Sequence, residues 1–116
     1  MKRAIVLVGH GGVPKDYPHD LVRKLKQLEA QRRAAGKPMS PEEHELDQKI
    51  RRWPRTPKTD PYKEGLESLA AQLRPLLKRD RLAIAYNEFC APTLEEAVEE
   101  LIKEGTWDIT VVSSMF

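Results

Sequence analysis

The residues best suited to chemistry stand together near the start of the chain. Gly9-His10-Gly11-Gly12 follows directly on the apolar run Ala4-Ile5-Val6-Leu7-Val8. An imidazole can ligate a borderline metal or accept a proton near neutral pH. Glycines on both sides allow a tight exit and leave room for a large flat molecule to approach. Further along, Asn87-Glu88 follows a second apolar run, Leu82-Ala83-Ile84-Ala85-Tyr86, in the same way. A carboxylate beside an imidazole can hold an incoming cation or fix the imidazole tautomer. His10 and Glu88 are therefore the candidate metal ligands and acid–base groups. Gly9, Gly11 and Gly12 are the candidate ligand-admitting residues, and Lys15 is a cation just beyond them. Each has a plainer reading: a buried histidine satisfied by backbone, a glutamate capping the next helix, a solvated lysine.

Both runs are short, apolar and rich in small or β-branched residues, as strands covered on both faces of a parallel sheet are. A third, Ile109-Thr110-Val111-Val112, lies near the end of the chain. Helical patterns separate them. Leu21, Leu25 and Leu28 recur at helical spacing in a segment from Pro18 to Ala35, which Gly36 and Pro38 stop. Ser40-Pro41-Glu42-Glu43 predicts a second helix start with a capping box, running to Trp53. A third helix begins at Tyr62 with the stripe Leu66, Leu69, Ala70, Leu73, Leu76 and Leu77, and Pro75 predicts a kink or an end near Arg74. Thr93 and Glu96 form the capping box of a fourth helix, which closes at Gly105.

Strands alternating with helices imply an α/β domain with a mainly parallel sheet. All three strand exits, Gly9 to Gly12, Asn87 to Ala91 and Ser113 to Phe116, then fall on one side of it, the side where such sheets bind ligands. Three strands make a thin sheet with two open edges, so an additional element or a second subunit is expected to cover one.

The 116 residues suit one domain. A net charge of +2 from twenty cations and eighteen interspersed anions gives no argument for nucleic acid. The cluster Lys49, Arg51, Arg52, Arg55 and Lys58 follows directly on Glu42, Glu43, Glu45 and Asp47 and carries no nucleic-acid motif. No apolar run is long enough to span a membrane. Cys90 stands alone, which excludes an internal disulfide and fits a reducing cytoplasm. No phosphate-binding loop is present, so no nucleotide is expected.

Gly9-His10-Gly11 after one strand, and Tyr86-Asn87-Glu88 with Pro92 after another, resemble the small sirohydrochlorin chelatases of the CbiX type, which insert cobalt or iron. The likeness covers residues 3–14 and 65–115. It implies a three-layer chelatase-like α/β domain over residues 1–116, with residues 20–61 as an inserted helical hairpin and a further part of the family fold beyond Phe116. It implies that His10 faces the metal and the tetrapyrrole, assisted by Glu88, with the divalent cation as a substrate. Where the family often carries serine and arginine, this chain has Gly12 and Val13, and the family's second histidine is absent. Two other classes therefore stand beside the enzyme: a metal- or tetrapyrrole-binding protein without turnover, and a protein-interaction module built on the hairpin. The hairpin is also a candidate lid or homo-oligomer contact.

Overall fold

In the computed structural model, which describes residues 2–115, three apolar segments pair into one parallel sheet. They are β1 (Arg3–Gly9), β2 (Arg81–Tyr86) and β3 (Asp108–Ser113), in the spatial order β2-β1-β3. The strand bearing the candidate histidine is thus the central one, with Leu7 between Ile84 on one side and Val112 on the other. The helices are α1 (His19–Ala35), α2 (Pro41–Arg51), α3 (Pro61–Leu77) and α4 (Leu94–Lys103).

Strand side chains alternate between faces, so β1 builds two cores at once. Ala4, Val6 and Val8 pack with Ala85 of β2 and with Ala97 and Leu101 of α4. Leu7 packs on the opposite face with Leu82, Tyr86 and Cys90, and with Leu66 and Ala70 of α3. Helix α4 therefore covers one face and α3 the other, giving the expected three layers.

A third core lies outside the sheet. Tyr17, Val22, Leu25 and Ile50 are buried together, with Leu21, Leu46, Trp53 and Phe89 against them. The α1–α2 hairpin therefore packs on the loops leaving β1 and β2, with the Tyr17 and Trp53 rings edge-to-face at 5.0 Å. It thereby buttresses the carboxyl end of the sheet.

Local signals are realised with two differences. Thr93 and Glu96 form the full capping box of α4. Ser40 Oγ accepts from the Glu43 amide at 3.2 Å, but the return half of that box is missing. The Glu43 carboxylate, 2% exposed, instead accepts from Arg32 Nε at 2.8 and 3.0 Å across the hairpin seam. A buried carboxylate gains more from a guanidinium than from an amide that water can serve. Helix α3 also runs through Pro75 to Leu77 rather than stopping near Arg74. Proline in the last turn forfeits a single internal hydrogen bond, and the Leu73 and Leu77 contacts with the core sustain the helix there.

Candidate functional site

The exits of β1 and β2 stay zipped beyond the strands themselves. The Asn87 amide donates to Gly9 O at 2.8 Å, and the Glu88 amide to His10 O at 2.9 Å. The pairing is tight enough to demand glycine. Gly11 has φ 89°, and a Cβ there would stand 1.8 Å from the Glu88 carbonyl oxygen. A Cβ on Gly9 would stand 2.5 Å from Tyr62 Oη and 2.7 Å from Leu66 Cδ2. The space a side chain would take at Gly9 and Gly11 is thus filled by the protein itself. Gly12 is less crowded: a Cβ there would meet Tyr62 and Asp60 only at ordinary contact distance.

His10 is exposed on this rim. Its backbone amide donates to Tyr62 Oη at 2.6 Å, which anchors the tip of β1 to the first turn of α3. Among the described residues no hydrogen bond or ion pair joins the His10 and Glu88 side chains. Asn87 borders a cleft on the α4 face, whereas Glu88 borders a shallow cleft against α1 with Lys26, Arg33 and Phe89. The structure brings the two tips together through their backbones, with no direct bond between the two side chains among the described residues. Lys15 is exposed, its backbone amide bonded to Thr59 O at 2.8 Å.

The cleft on the α4 face measures about 460 Å³ and opens at the carboxyl ends of all three strands. Val8, Asn87, Val111 and Ser113 form its strand side, with Thr93 at the start of α4 and Arg51 from the hairpin. Such a volume lies within the usual range of small-molecule sites. Neither His10 nor Glu88 lines it, although His10 lies two residues past Val8 and Glu88 adjoins Asn87.

The residues that organise this region escape sequence reading. Arg55, whose side chain is 4% exposed, donates from Nη1 to Gly12 O at 2.8 Å and to Asp60 Oδ2 at 2.6 Å. Its Nη2 donates to Ile50 O at 2.7 Å and to Phe89 O. Asp60, equally buried, accepts from the Lys63 amide at 2.9 Å and so caps α3. Arg51 bonds Cys90 O at 2.8 Å and Asn87 O at 3.2 Å, with Asp47 at 2.9 Å balancing its charge. Arg52 pairs with Glu96. In sequence these arginines form a basic cluster directly after an acidic one; in space all three are engaged by ion pairs, and two of them also by backbone carbonyls. Nothing short of the tertiary contacts marks them. Phe89 has φ 62°, a left-handed conformation that costs a non-glycine residue about 1–2 kcal/mol. It is held by the Arg55 bond to its carbonyl and by Lys26 Nζ, 5.8 Å from its ring centroid.

Burial holds the Cys90 thiol above its ordinary pKa, and the buried Tyr86 hydroxyl is raised further. Both are therefore neutral core groups. Among the described residues no cluster of three or more His, Cys, Asp or Glu side chains could hold a metal ion. Among them, too, no helix is long and apolar enough to cross a membrane.

The model of the CbiX family matches residues 58–116, just over half of the chain. The chain belongs to the CbiX family, the sirohydrochlorin chelatases. The matched residues carry most of the sheet-covering architecture, α3, β2, α4 and β3, and with it Glu88; β1 with His10 and the α1–α2 hairpin lie outside the match. No curated protein and no solved structure matches the chain. Family membership associates the fold with tetrapyrrole substrates and with a divalent metal as co-substrate.

Proposed function

We propose that this protein inserts cobalt or ferrous iron into sirohydrochlorin or a closely related tetrapyrrole, without a nucleotide. Membership in the CbiX family carries the reading, and the exposed imidazole at the carboxyl end of the central strand supports it. The reaction exchanges two pyrrole N–H protons for one divalent cation. Charge therefore balances, and neither an oxidant nor phosphoryl transfer is needed. The ring itself brings four nitrogen ligands, so the protein need supply only a transient one. A preformed cluster of three protein ligands is not required on this scheme. His10 in its neutral form either ligates the cation while water leaves or accepts one pyrrole proton, the other passing to solvent. Glu88, on the neighbouring tip, attracts the incoming cation. Lys15 and Gly12 border the rim where the acidic substituents of the ring would lie. The single buried cysteine fits a reducing cytoplasm as the place of action.

Cobalt and sirohydrochlorin mixed with the protein should show the absorbance change of metal insertion faster than in buffer. His10→Ala should reduce the accelerated rate by about 100-fold or more, the scale of a lost general base. An unaffected variant would remove His10 from the mechanism.

A second reading, binding of ring or metal without turnover, is favoured by Gly12 and Val13 standing where the family often carries serine and arginine. Ring binding with no acceleration over buffer would select it.

A further inference from the structure

We propose that Arg55 is the positioning residue of this site, so that the α1–α2 hairpin and its trailing segment are part of the working machinery. The inference rests on the chelatase reading and adds to it a group that neither family membership nor the sequence assigns. Four segments of chain meet on one guanidinium: Gly12 O, Asp60 Oδ2, Ile50 O and Phe89 O. Two of these contacts adjoin the candidate groups directly. Gly12 lies two residues beyond His10, and Phe89 one residue beyond Glu88, so one planar cation spans the two tips just downstream of both. A third contact, Asp60, caps the helix whose Tyr62 hydroxyl holds the His10 amide. His10 is thus fixed from two sides, through Tyr62 on the helix that Asp60 caps and through Gly12, whose carbonyl Arg55 holds directly, and Arg55 and Asp60 are themselves paired.

A buried ion pair is weak evidence of a stabilising role, because desolvation offsets much of the attraction. What the planar fork provides is geometry, since its donors point in fixed directions that a lysine ammonium cannot reproduce. Phe89, held at φ 62° with its carbonyl on Nη2, is the backbone most dependent on that fork. On release the Glu88 tip would drift from the His10 tip, and a rigid planar substrate with its cation would meet a looser pair of groups.

Arg55→Lys and Arg55→Ala are compared with the wild-type protein by two measurements. The first is steady-state cobalt insertion into sirohydrochlorin, with methylguanidinium added to the alanine variant. The second is amide hydrogen exchange at His10 and Glu88, with Leu7 and Ile84 in the sheet as internal references. Expected are a kcat at least tenfold lower in Arg55→Ala with KM changed less than threefold, partial restoration by methylguanidinium, and an intermediate lysine variant. Exchange at His10 and Glu88 should quicken tenfold or more relative to Leu7 and Ile84. Equal loss of protection at all four amides, with kcat unchanged, would reduce Arg55 to a stability role and overturn the proposal. Should the alanine variant fail to fold, the lysine variant decides by the same two measurements. If the wild-type protein shows no insertion, the chelatase reading fails on its own, and relative exchange in Arg55→Lys still supports or overturns the clamp.

Discussion

Gly11 is where the two tips press closest, and its substitution tests the arrangement at the smallest scale. With φ 89° and the Glu88 carbonyl occupying the space a Cβ would need, Gly11→Ala must either distort its own backbone or push the β2 exit away. Strain of this kind costs about 1–3 kcal/mol. A lowered melting temperature together with slower metal insertion is expected, and thermal unfolding with the absorbance assay measures both. His10 is legible at this scale without coordinates. Gly-His-Gly after an apolar run marks a histidine at a strand end, and the structure places His10 exposed just beyond β1. What one-dimensional reading does not supply is partnership. Chemical affinity pairs Glu88 with His10, whereas in the fold Glu88 borders the cleft against α1. Tyr62 and Arg55 carry no local pattern, because their significance arises wholly from contacts made across the fold.

At the scale of elements, α4 shows how a local signal acquires a pH dependence. The Glu96 carboxylate accepts from the Thr93 amide at 2.9 Å and pairs with Arg52 of the hairpin. The Thr93 amide, followed by the Arg52 guanidinium, holds its pKa below the usual carboxylate value despite partial burial. A carboxyl whose folded pKa is depressed contributes fully above its unfolded pKa, about 4.3, and that contribution fades as pH falls through the lower folded value. Glu96→Gln should therefore melt below wild type at pH 7, with the gap closing as pH drops below about 4. Melting curves at several pH values check this, and a gap that widens in acid contradicts it. Element boundaries are largely readable, because Ser40, Thr93, Gly36 and the prolines act through neighbouring backbone alone. The exceptions have a common cause: the Glu43 box and the Pro75 break are both set aside by contacts from outside their own helix.

For the whole molecule, the alternation of strands and helices is enough to imply an α/β domain with a parallel sheet, and the family resemblance implies its three layers, whereas the placement of the hairpin is not legible. Its leucines could meet a sheet edge, a second subunit or the site, and nothing in their spacing distinguishes the three. In the structure Ile50, fully buried, joins the hairpin core to the loops leaving β1 and β2. Ile50→Ala should cost about 2–5 kcal/mol, which denaturant unfolding would read directly. Because Arg51 and Arg55 bind hairpin and sheet loops into one unit, Trp53 fluorescence and far-UV circular dichroism should report a single coincident transition. Separate transitions would mean that the hairpin opens independently. The central position of β1 has a further consequence, for biosynthesis. Ala4 finds its neighbours only at Arg81 and Ile109, so this apolar strand is synthesised before both of its mates and must wait for them. Closing such wide loops is slow, and an orphan strand is prone to sticking. Keeping β1 from sticking until β2 and β3 are made is accordingly a condition of productive folding.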